Sequence, residues 1–256
     1  MLTLKRRKII LTLTLSGVTL LVPSILLLNQ PSNLTAYVNI YTTVAAAVSF
    51  MQSFAIIVSC IKHPPCRVHP WILLSTGVGL WTVAEVTWLL HFMMFGEAFP
   101  FSLADFMWIA GYPFLILGLW TFVRPFVKML RATGFKVRRH LAWNVTVISL
   151  LIAFAAGLLV VKPIHEFKVE FPSAFYVVLD ALLLLVASSS LSIFYPSTYA
   201  YLLTVITTSF ALFAACDLLY MLARTYVFVP ADLLYAYTYV ILALGFYAYR
   251  KLSSPT

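Results

Sequence analysis

Residues 34–61 read LTAYVNIYTTVAAAVSFMQSFAIIVSCI and contain no Asp, Glu, Lys or Arg. A helix needs about 20 apolar residues to cross the hydrocarbon core of a bilayer, and this run exceeds that length. Similar runs, with ends marked by Pro, Gly or charged residues, lie at about 9–29, 70–94, 103–123, 141–161, 174–195, 200–223 and 231–249. The sequence therefore predicts an all-α, polytopic transmembrane helical bundle of about eight helices.

The composition of the chain also favours the bilayer as its solvent. Of the 256 residues, 62% are hydrophobic and 10% are charged, whereas a soluble domain is roughly half apolar and about a quarter charged. We therefore expect a single transmembrane domain over residues 1–256. The first apolar run is long for a signal peptide and no A-x-A-like cleavage site follows it, so we interpret it as a retained helix.

The positions of the charges predict the orientation. A net charge of +9 could indicate nucleic-acid binding in a soluble protein, but here we expect no nucleic acid and the lipid bilayer as the partner. With the N-terminus in the cytoplasm, 14 of the 17 Lys and Arg residues fall in cytoplasmic segments. The positive-inside rule thus predicts a multi-pass protein of the cell membrane with both termini cytoplasmic. All eight Asp and Glu residues fall in the outer loops or outer halves of helices.

Two segments match each other at a shift of 127 residues. Both 104–118 and 231–245 follow the pattern A-D-x-x-[WY]-x-x-x-Y-x-x-x-x-x-G. One helix earlier, Glu85 and Trp88 have counterparts in Asp217 and Tyr220. We predict two parallel four-helix pseudo-repeats, 1–123 and 141–251, joined by a basic cytoplasmic linker at 124–140.

Three acidic residues fall inside predicted membrane helices. Asp180 ends the apolar stretch YVVLD, and Glu85 and Asp217 lie about two turns inside outer helix ends. Charged groups in hydrocarbon are costly and are therefore usually paired or functional. We expect these three to line a shared outer-half cavity that attracts a cation, binds an amine or carries a proton. Alternatively, they bond to hydroxyl groups or to Arg224 and only fix helix packing.

Asp105 and Asp232 lie at predicted helix starts. Residues 102–105 read S-L-A-D, which is a capping-box pattern. Asp232 follows Pro230 in a first turn, where the helix dipole favours a carboxylate. We predict capping at both positions, with a supporting role in ligand or proton binding.

Cys60, His63, Cys66 and His69 recur every three residues, and all four are metal-ligand types. The two prolines at 64–65 favour extended geometry, which spaces successive side chains by roughly 9 Å. We therefore expect a solvated loop without a metal; a tight turn at the prolines is the alternative that would bring these side chains close enough for a metal site. The odd number of cysteines also argues against a disulfide framework.

We predict no cofactor, and enzymatic activity is not the favoured interpretation. The sequence contains no G-x-S-x-G, H-E-x-x-H, P-loop or G-x-G-x-x-G motif. His91 and His165 lie near the outer face and could ligate haem, but we interpret them as surface histidines. The six Trp residues lie mostly toward helix ends, where anchoring at the membrane interface explains most of them.

The stretch PFSLAD at 100–105, followed by Trp108 and by GYP at 111–113, resembles the multi-helix membrane sensor region ahead of bacterial GGDEF-type diguanylate cyclases and some histidine kinases. The Y-x-x-x-D stretch at 176–180 is similar to that family's later Y-P-x-x-D element, with Val177 in place of Pro. The resemblance covers about residues 75–250. It implies a stand-alone sensor that signals through a separate protein, because the sequence ends at Thr256 without an output domain.

We therefore favour a membrane-embedded sensor or ligand-binding module for a small cationic or amphipathic ligand, or for protons. Asp180 and Glu85 would carry binding, and the basic linker or the C-terminus would contact a cytoplasmic signalling partner. One alternative is a small proton- or cation-coupled permease or channel subunit. A second is a membrane-embedded lipid hydrolase that uses paired carboxylates as acid and base. The oligomeric state is not predicted.

Overall fold

The structure is a computed structural model that describes residues 2–62, 66–96, 102–132, 167–194, 198–223 and 229–253. These residues form seven helices and no strand: α1 (Leu2–Leu26), α2 (Pro31–Lys62), α3 (Val68–Phe95), α4 (Leu103–Ala132), α5 (Phe167–Phe194), α6 (Thr198–Ala223) and α7 (Val229–Ser253). Five of them, α2, α3, α4, α6 and α7, are long and apolar enough to cross a membrane. The prediction of an all-helical membrane bundle is confirmed, and the count of eight spans stays a prediction.

The helix ends differ from the predicted ones around the basic linker. α4 continues past residue 123, through Pro125, to Ala132, so the first part of the predicted linker is helical. α5 begins at Phe167 rather than near residue 174. Hydropathy marks where the chain leaves hydrocarbon, whereas a helix continues as long as its own backbone hydrogen bonds do. The predicted span 141–161 and the rest of the linker lie outside the described residues.

Two helix ends show the sequence signals that place them. α2 begins at Pro31, where the ring presets φ and the missing N–H is not needed for a helical hydrogen bond. α3 ends at Gly96, which has a φ of 71° and donates its N–H to the carbonyl of Phe92 at 2.8 Å. Glycine is the most favourable residue for this left-handed conformation, because it has no Cβ that would clash with the backbone.

Helices α2 to α7 form a closed ring. Each helix packs against the next one in chain order, and α7 packs back against α2, while α1 lies outside the ring against α2 and α7. α4 and α5 run in the same direction, because Tyr176 bonds to Asp105 and Tyr112 bonds to Asp180 further along both helices. The centre of the ring is filled by large side chains, including Trp71, Phe210, Phe213, Tyr239 and Phe246.

The two faces of each helix differ as the bilayer requires. The outward side of α2 exposes Ile40, Val44, Met51 and Phe54, an apolar surface suited to lipid. On the inward side, small polar groups bond between helices. Ser53 Oγ donates to Ser75 Oγ at 3.1 Å, and Thr82 Oγ1 donates to the carbonyl of Ala46 at 3.1 Å. Such bonds help to hold membrane helices together.

Candidate functional site

Five helices each contribute one carboxylate to the same end of the ring. The five are Glu85 on α3, Asp105 on α4, Asp180 on α5, Asp217 on α6 and Asp232 on α7. They meet because α3 and α6 end where α4, α5 and α7 begin. All five residues predicted to bind a ligand or a proton are therefore neighbours in the structure.

A cavity of about 110 Å³ lies among these helix ends. Its walls combine four of the five carboxylates with eight aromatic side chains and a short polar and aliphatic patch from α2. The lining residues are Val38, Asn39, Thr42, Trp81, Glu85, Trp88, Asp105, Trp108, Tyr112, Tyr176, Phe213, Asp217, Tyr220, Asp232 and Tyr235. Asp180 is absent from this lining and lies behind it.

Helical spacing places the acids and the aromatic rings on the same faces. Residues three, four or seven positions apart share one side of a helix. This spacing relates Trp81, Glu85 and Trp88 on α3, Asp105, Trp108 and Tyr112 on α4, Asp217 and Tyr220 on α6, and Asp232 and Tyr235 on α7. The cavity is thus built from one repeated pattern in four helices.

Glu85 is held by aromatic donors from two other helices. Its Oε1 accepts a hydrogen bond from the Tyr239 hydroxyl at 2.8 Å and one from Trp108 Nε1 at 3.1 Å. Trp108 is itself positioned by its carbonyl, which accepts from Trp81 Nε1 at 2.9 Å. Hydrogen bonds to a carboxylate are strong in a low-dielectric interior. Glu85 is therefore held in one orientation at the wall of the cavity.

Asp105 both caps a helix and faces the cavity. Its Oδ2 accepts from the backbone N–H of Ser102 at 2.6 Å and from Ser102 Oγ at 3.0 Å. That is the capping geometry expected from the sequence, with the carboxylate reaching back to the N-cap. Its Oδ1 accepts from the Tyr176 hydroxyl at 2.7 Å. Asp232, in the first turn of α7, accepts from the Tyr220 hydroxyl.

Asp180 is the most deeply buried of the five acids, with 1% of its surface exposed. Its Oδ1 accepts from the Tyr112 hydroxyl at 2.8 Å. Its Oδ2 is buried and accepts from no donor. The carboxyl group of Asp217 on α6 is an interacting neighbour of Asp180. Asp217 also lines the cavity, so it connects the buried acid to the open space.

The described lining of the cavity carries four carboxyl groups, and Arg224, the alternative partner predicted for the acids, lies outside the described residues. No Lys, Arg or His occurs among its lining residues in the described part of the chain. Aromatic ring faces attract cations through the ring quadrupole, most strongly for Trp, and carboxylates add full negative charge. The arrangement is therefore suited to a positively charged group.

The aromatic walls correct one interpretation of the sequence. Trp81, Trp88 and Trp108 line the cavity rather than anchoring helices at the membrane interface, and Trp71 is buried with only 2% of its surface exposed. Trp120 is 49% exposed, as an interfacial anchor would be. The signal for the cavity was the helical spacing between these Trp residues and the acids.

The cysteine-rich loop also differs from its prediction. Cys60 and Cys66 form a disulfide, with Cα atoms 4.9 Å apart, whereas six extended residues would separate them by about 19 Å. The chain therefore turns back between them, and neither sulfur is a free thiolate. Cys216 is free and buried. Among the described residues, no three His, Cys, Asp or Glu side chains are arranged to hold a metal ion. His63 and His165 lie outside those residues.

The chain matches no family model, no curated protein and no solved structure.

Proposed function

We propose that this chain is a membrane-embedded ligand-binding module, and that its outer-half cavity binds a small organic cation. One observation carries the proposal: four carboxylates and eight aromatic side chains surround a cavity whose lining contains no basic residue. A cation in this space would contact ring faces and carboxylates together. An anionic ligand would be repelled by the carboxylates, and this repulsion is strong in a low-dielectric interior.

The lining favours an organic cation over a bare metal ion. The acids are distributed around the wall with aromatic rings between them, and the rings supply ring faces in place of the oxygen ligands that hard cations need. The size of the cavity limits the ligand. A dry cavity of about 150 Å³ holds benzene, so the 110 Å³ here fits an ammonium group with a few carbon atoms.

A binding or sensing role is favoured over transport by what lies below the cavity. There the centre of the ring is packed with aromatic side chains. Phe213 contacts Trp81 and Tyr239 at centroid distances of 5.0 and 4.8 Å, and Trp71 contacts Tyr249 at 4.3 Å. A permease needs a path beyond its site. The resemblance to membrane sensor regions points the same way, with a separate cytoplasmic partner as the receiver.

The lipid hydrolase alternative gains one observation, the contact between Asp180 and Asp217. Paired aspartates can act as acid and base when both reach the same water. However, Asp180 is 1% exposed and does not line the cavity. A substrate in the cavity would therefore meet Asp217 alone, so we rank this alternative last.

We also propose eight spans in two parallel repeats, with both termini in the cytoplasm. The ring supports the repeat, because exchanging α2–α3–α4 with α5–α6–α7 converts each helix contact of the ring into another one. The parallel direction of α4 and α5 supports a further span between them. The disulfide favours the opposite orientation, since disulfides are rare in the cytosol. We give more weight to the bias of 14 basic residues out of 17.

Cysteine labelling tests this topology. In a chain whose native cysteines are replaced by Ser, we expect Asn29→Cys to react with a membrane-impermeant maleimide from the outside only. Thr133→Cys should react only after the membrane is opened, because basic segments stay on the cytoplasmic side. Labelling of Thr133→Cys from the outside and of Asn29→Cys only after opening would overturn the orientation. Labelling of both sites from the same side would contradict the odd number of spans predicted between them.

The cation proposal is tested by tetramethylammonium binding to the purified protein in detergent. We expect it to raise the melting temperature relative to sodium chloride at equal ionic strength. Trp108→Phe replaces an indole ring by a phenyl ring, which attracts cations less strongly, and removes a donor to Glu85. A cation–π contact contributes about 0.5–2 kcal/mol, so affinity should fall by up to about 30-fold.

Trp71→Phe is the matched control. Trp71 lies 14 residues before Glu85 on the same helix, or about 21 Å along its axis, and its partners are Phe122, Phe246 and Tyr249. This variant should lose stability but retain the wild-type affinity. Absence of any cation effect in the wild type, or equal losses in the two variants, would refute the proposed site.

A further inference from the structure

The neighbouring carboxyl groups of Asp180 and Asp217 can form a hydrogen bond only if one of them carries a proton. Asp180 Oδ2 is buried without a donor, and the interacting neighbour is another carboxyl. Two ionised carboxylates offer only acceptors, so they cannot bond to each other. A single proton between them would satisfy both oxygens, as it does in other buried aspartate pairs.

Among the described residues, no group that faces the pair carries a positive charge that would stabilise two anions. The titratable groups facing Asp180 are Tyr112 on α4 and Asp217 and Cys216 on α6, and Tyr176 lies one helical turn earlier on its own helix. Across the cavity, Glu85 on α3 and Tyr235 on α7 face Asp217. All of these groups are neutral or acidic. Like charges in contact in a low-dielectric interior repel strongly, which favours one shared proton.

We infer that Asp180 and Asp217 share one proton in the ligand-free protein and that a cation bound in the cavity displaces it. The second half rests on the proposed function. The cavity reaches Asp217 but not Asp180, so the cation would replace the proton at Asp217. The proton leaves to water as the cation enters, one positive charge is exchanged for another, and no covalent bond between heavy atoms changes. Cation binding would thus weaken as the pH falls.

Two isosteric variants separate the roles of the pair. In Asp180→Asn, the amide N–H donates to Asp217 where the proton stood, and the amide oxygen accepts from Tyr112. This variant should fold, and its cation affinity should lose its pH dependence. In Asp217→Asn, the carboxylate that faces the cavity is gone, so affinity and proton release should both fall.

Infrared spectroscopy tests the shared proton without any ligand. We expect the wild type at neutral pH to show the carbonyl band of a protonated carboxyl group, shifted in heavy water. Asp180→Asn should lose the band. Glu85→Gln should keep it, because Glu85 is not among the groups that face Asp180. A wild type without the band, or an unchanged band in Asp180→Asn, would overturn the shared proton.

Calorimetry with tetramethylammonium tests the displacement. Titrations in two buffers of different ionisation enthalpy should give about one proton released per cation in the wild type and none in Asp180→Asn. If the cation binds with no proton release, the displacement is wrong and the proposed function stands. If no cation binds, the function and the displacement both fail, while the infrared band still decides whether the proton is shared.

Discussion

Glu85→Gln is expected to weaken tetramethylammonium binding at least ~30-fold. Tetramethylammonium forms no hydrogen bond, so the relevant magnitude is the coupling of a close charge pair, which can reach several kcal/mol, and each 1.4 kcal/mol is a factor of about ten. Glu85 is 4% exposed and held by two donors, so a bound cation would face a fixed charge with little screening from water. Isothermal titration of the purified variant measures the loss.

The variant should still fold, because the amide oxygen of Gln accepts the same hydrogen bonds from Tyr239 and Trp108. Glu97→Gln, which removes an acid from a predicted outer loop, is the matched control and should bind like the wild type. Wild-type affinity in Glu85→Gln would show that this carboxylate only fixes helix packing, which was the alternative interpretation of the sequence.

Gly111→Ala is expected to lower the free energy of unfolding by about 1–3 kcal/mol, the usual cost of overfilling a packed interior. A Cβ at Gly111 would overlap the Trp81 indole and would lie 3.0 Å from the carbonyl oxygen of Gly77. Neither can move easily, since Trp81 is 2% exposed and the Gly77 oxygen is backbone. Unfolding in detergent, followed by Trp fluorescence, measures the change.

Gly17→Ala is the control for the effect of helix propensity. At Gly17 the nearest atom to an added Cβ is Tyr237 Cε2 at 3.8 Å, an ordinary contact. Alanine there should be neutral or stabilising by up to about 1 kcal/mol. A Gly111→Ala protein as stable as the wild type would mean that α3 and α4 are not closely packed at this point.

The two predictions are connected through Trp81. The Trp81 indole packs directly against Gly111 of α4, and its Nε1 donates to the carbonyl of Trp108. Trp108 Nε1 in turn donates to the Glu85 carboxylate. Gly111→Ala should therefore weaken cation binding as well as stability. The packing of α3 against α4 and the geometry of the cavity therefore depend on the same side chain, Trp81.

The sequence predicted which acids would gather but not what would surround them. Charge inside hydrocarbon is rare and costly, so Asp180, Glu85 and Asp217 could be recognised from position alone. Aromatic residues are common both at membrane interfaces and in cores, so the Trp and Tyr residues did not reveal which role they play. The helical spacing between the two types held this information.

Several features of this chain were determined by its sequence alone. Long uncharged runs require backbone hydrogen bonds within each segment, and this makes the chain a helical membrane bundle. The S-L-A-D stretch was enough to predict the cap at Asp105, because capping acts within four residues.

Only the tertiary structure decided the rest. Closing the ring brought Tyr239 to Glu85 and Tyr112 to Asp180 across 154 and 68 residues, and it left Asp180 behind the wall while Asp217 reached the cavity. The pairing of Cys60 with Cys66 was also not expected from the sequence. These contacts depend on how several helices pack together. The periodicity of one helix shows which of its faces is buried, but not the angle or the height at which neighbouring helices contact that face.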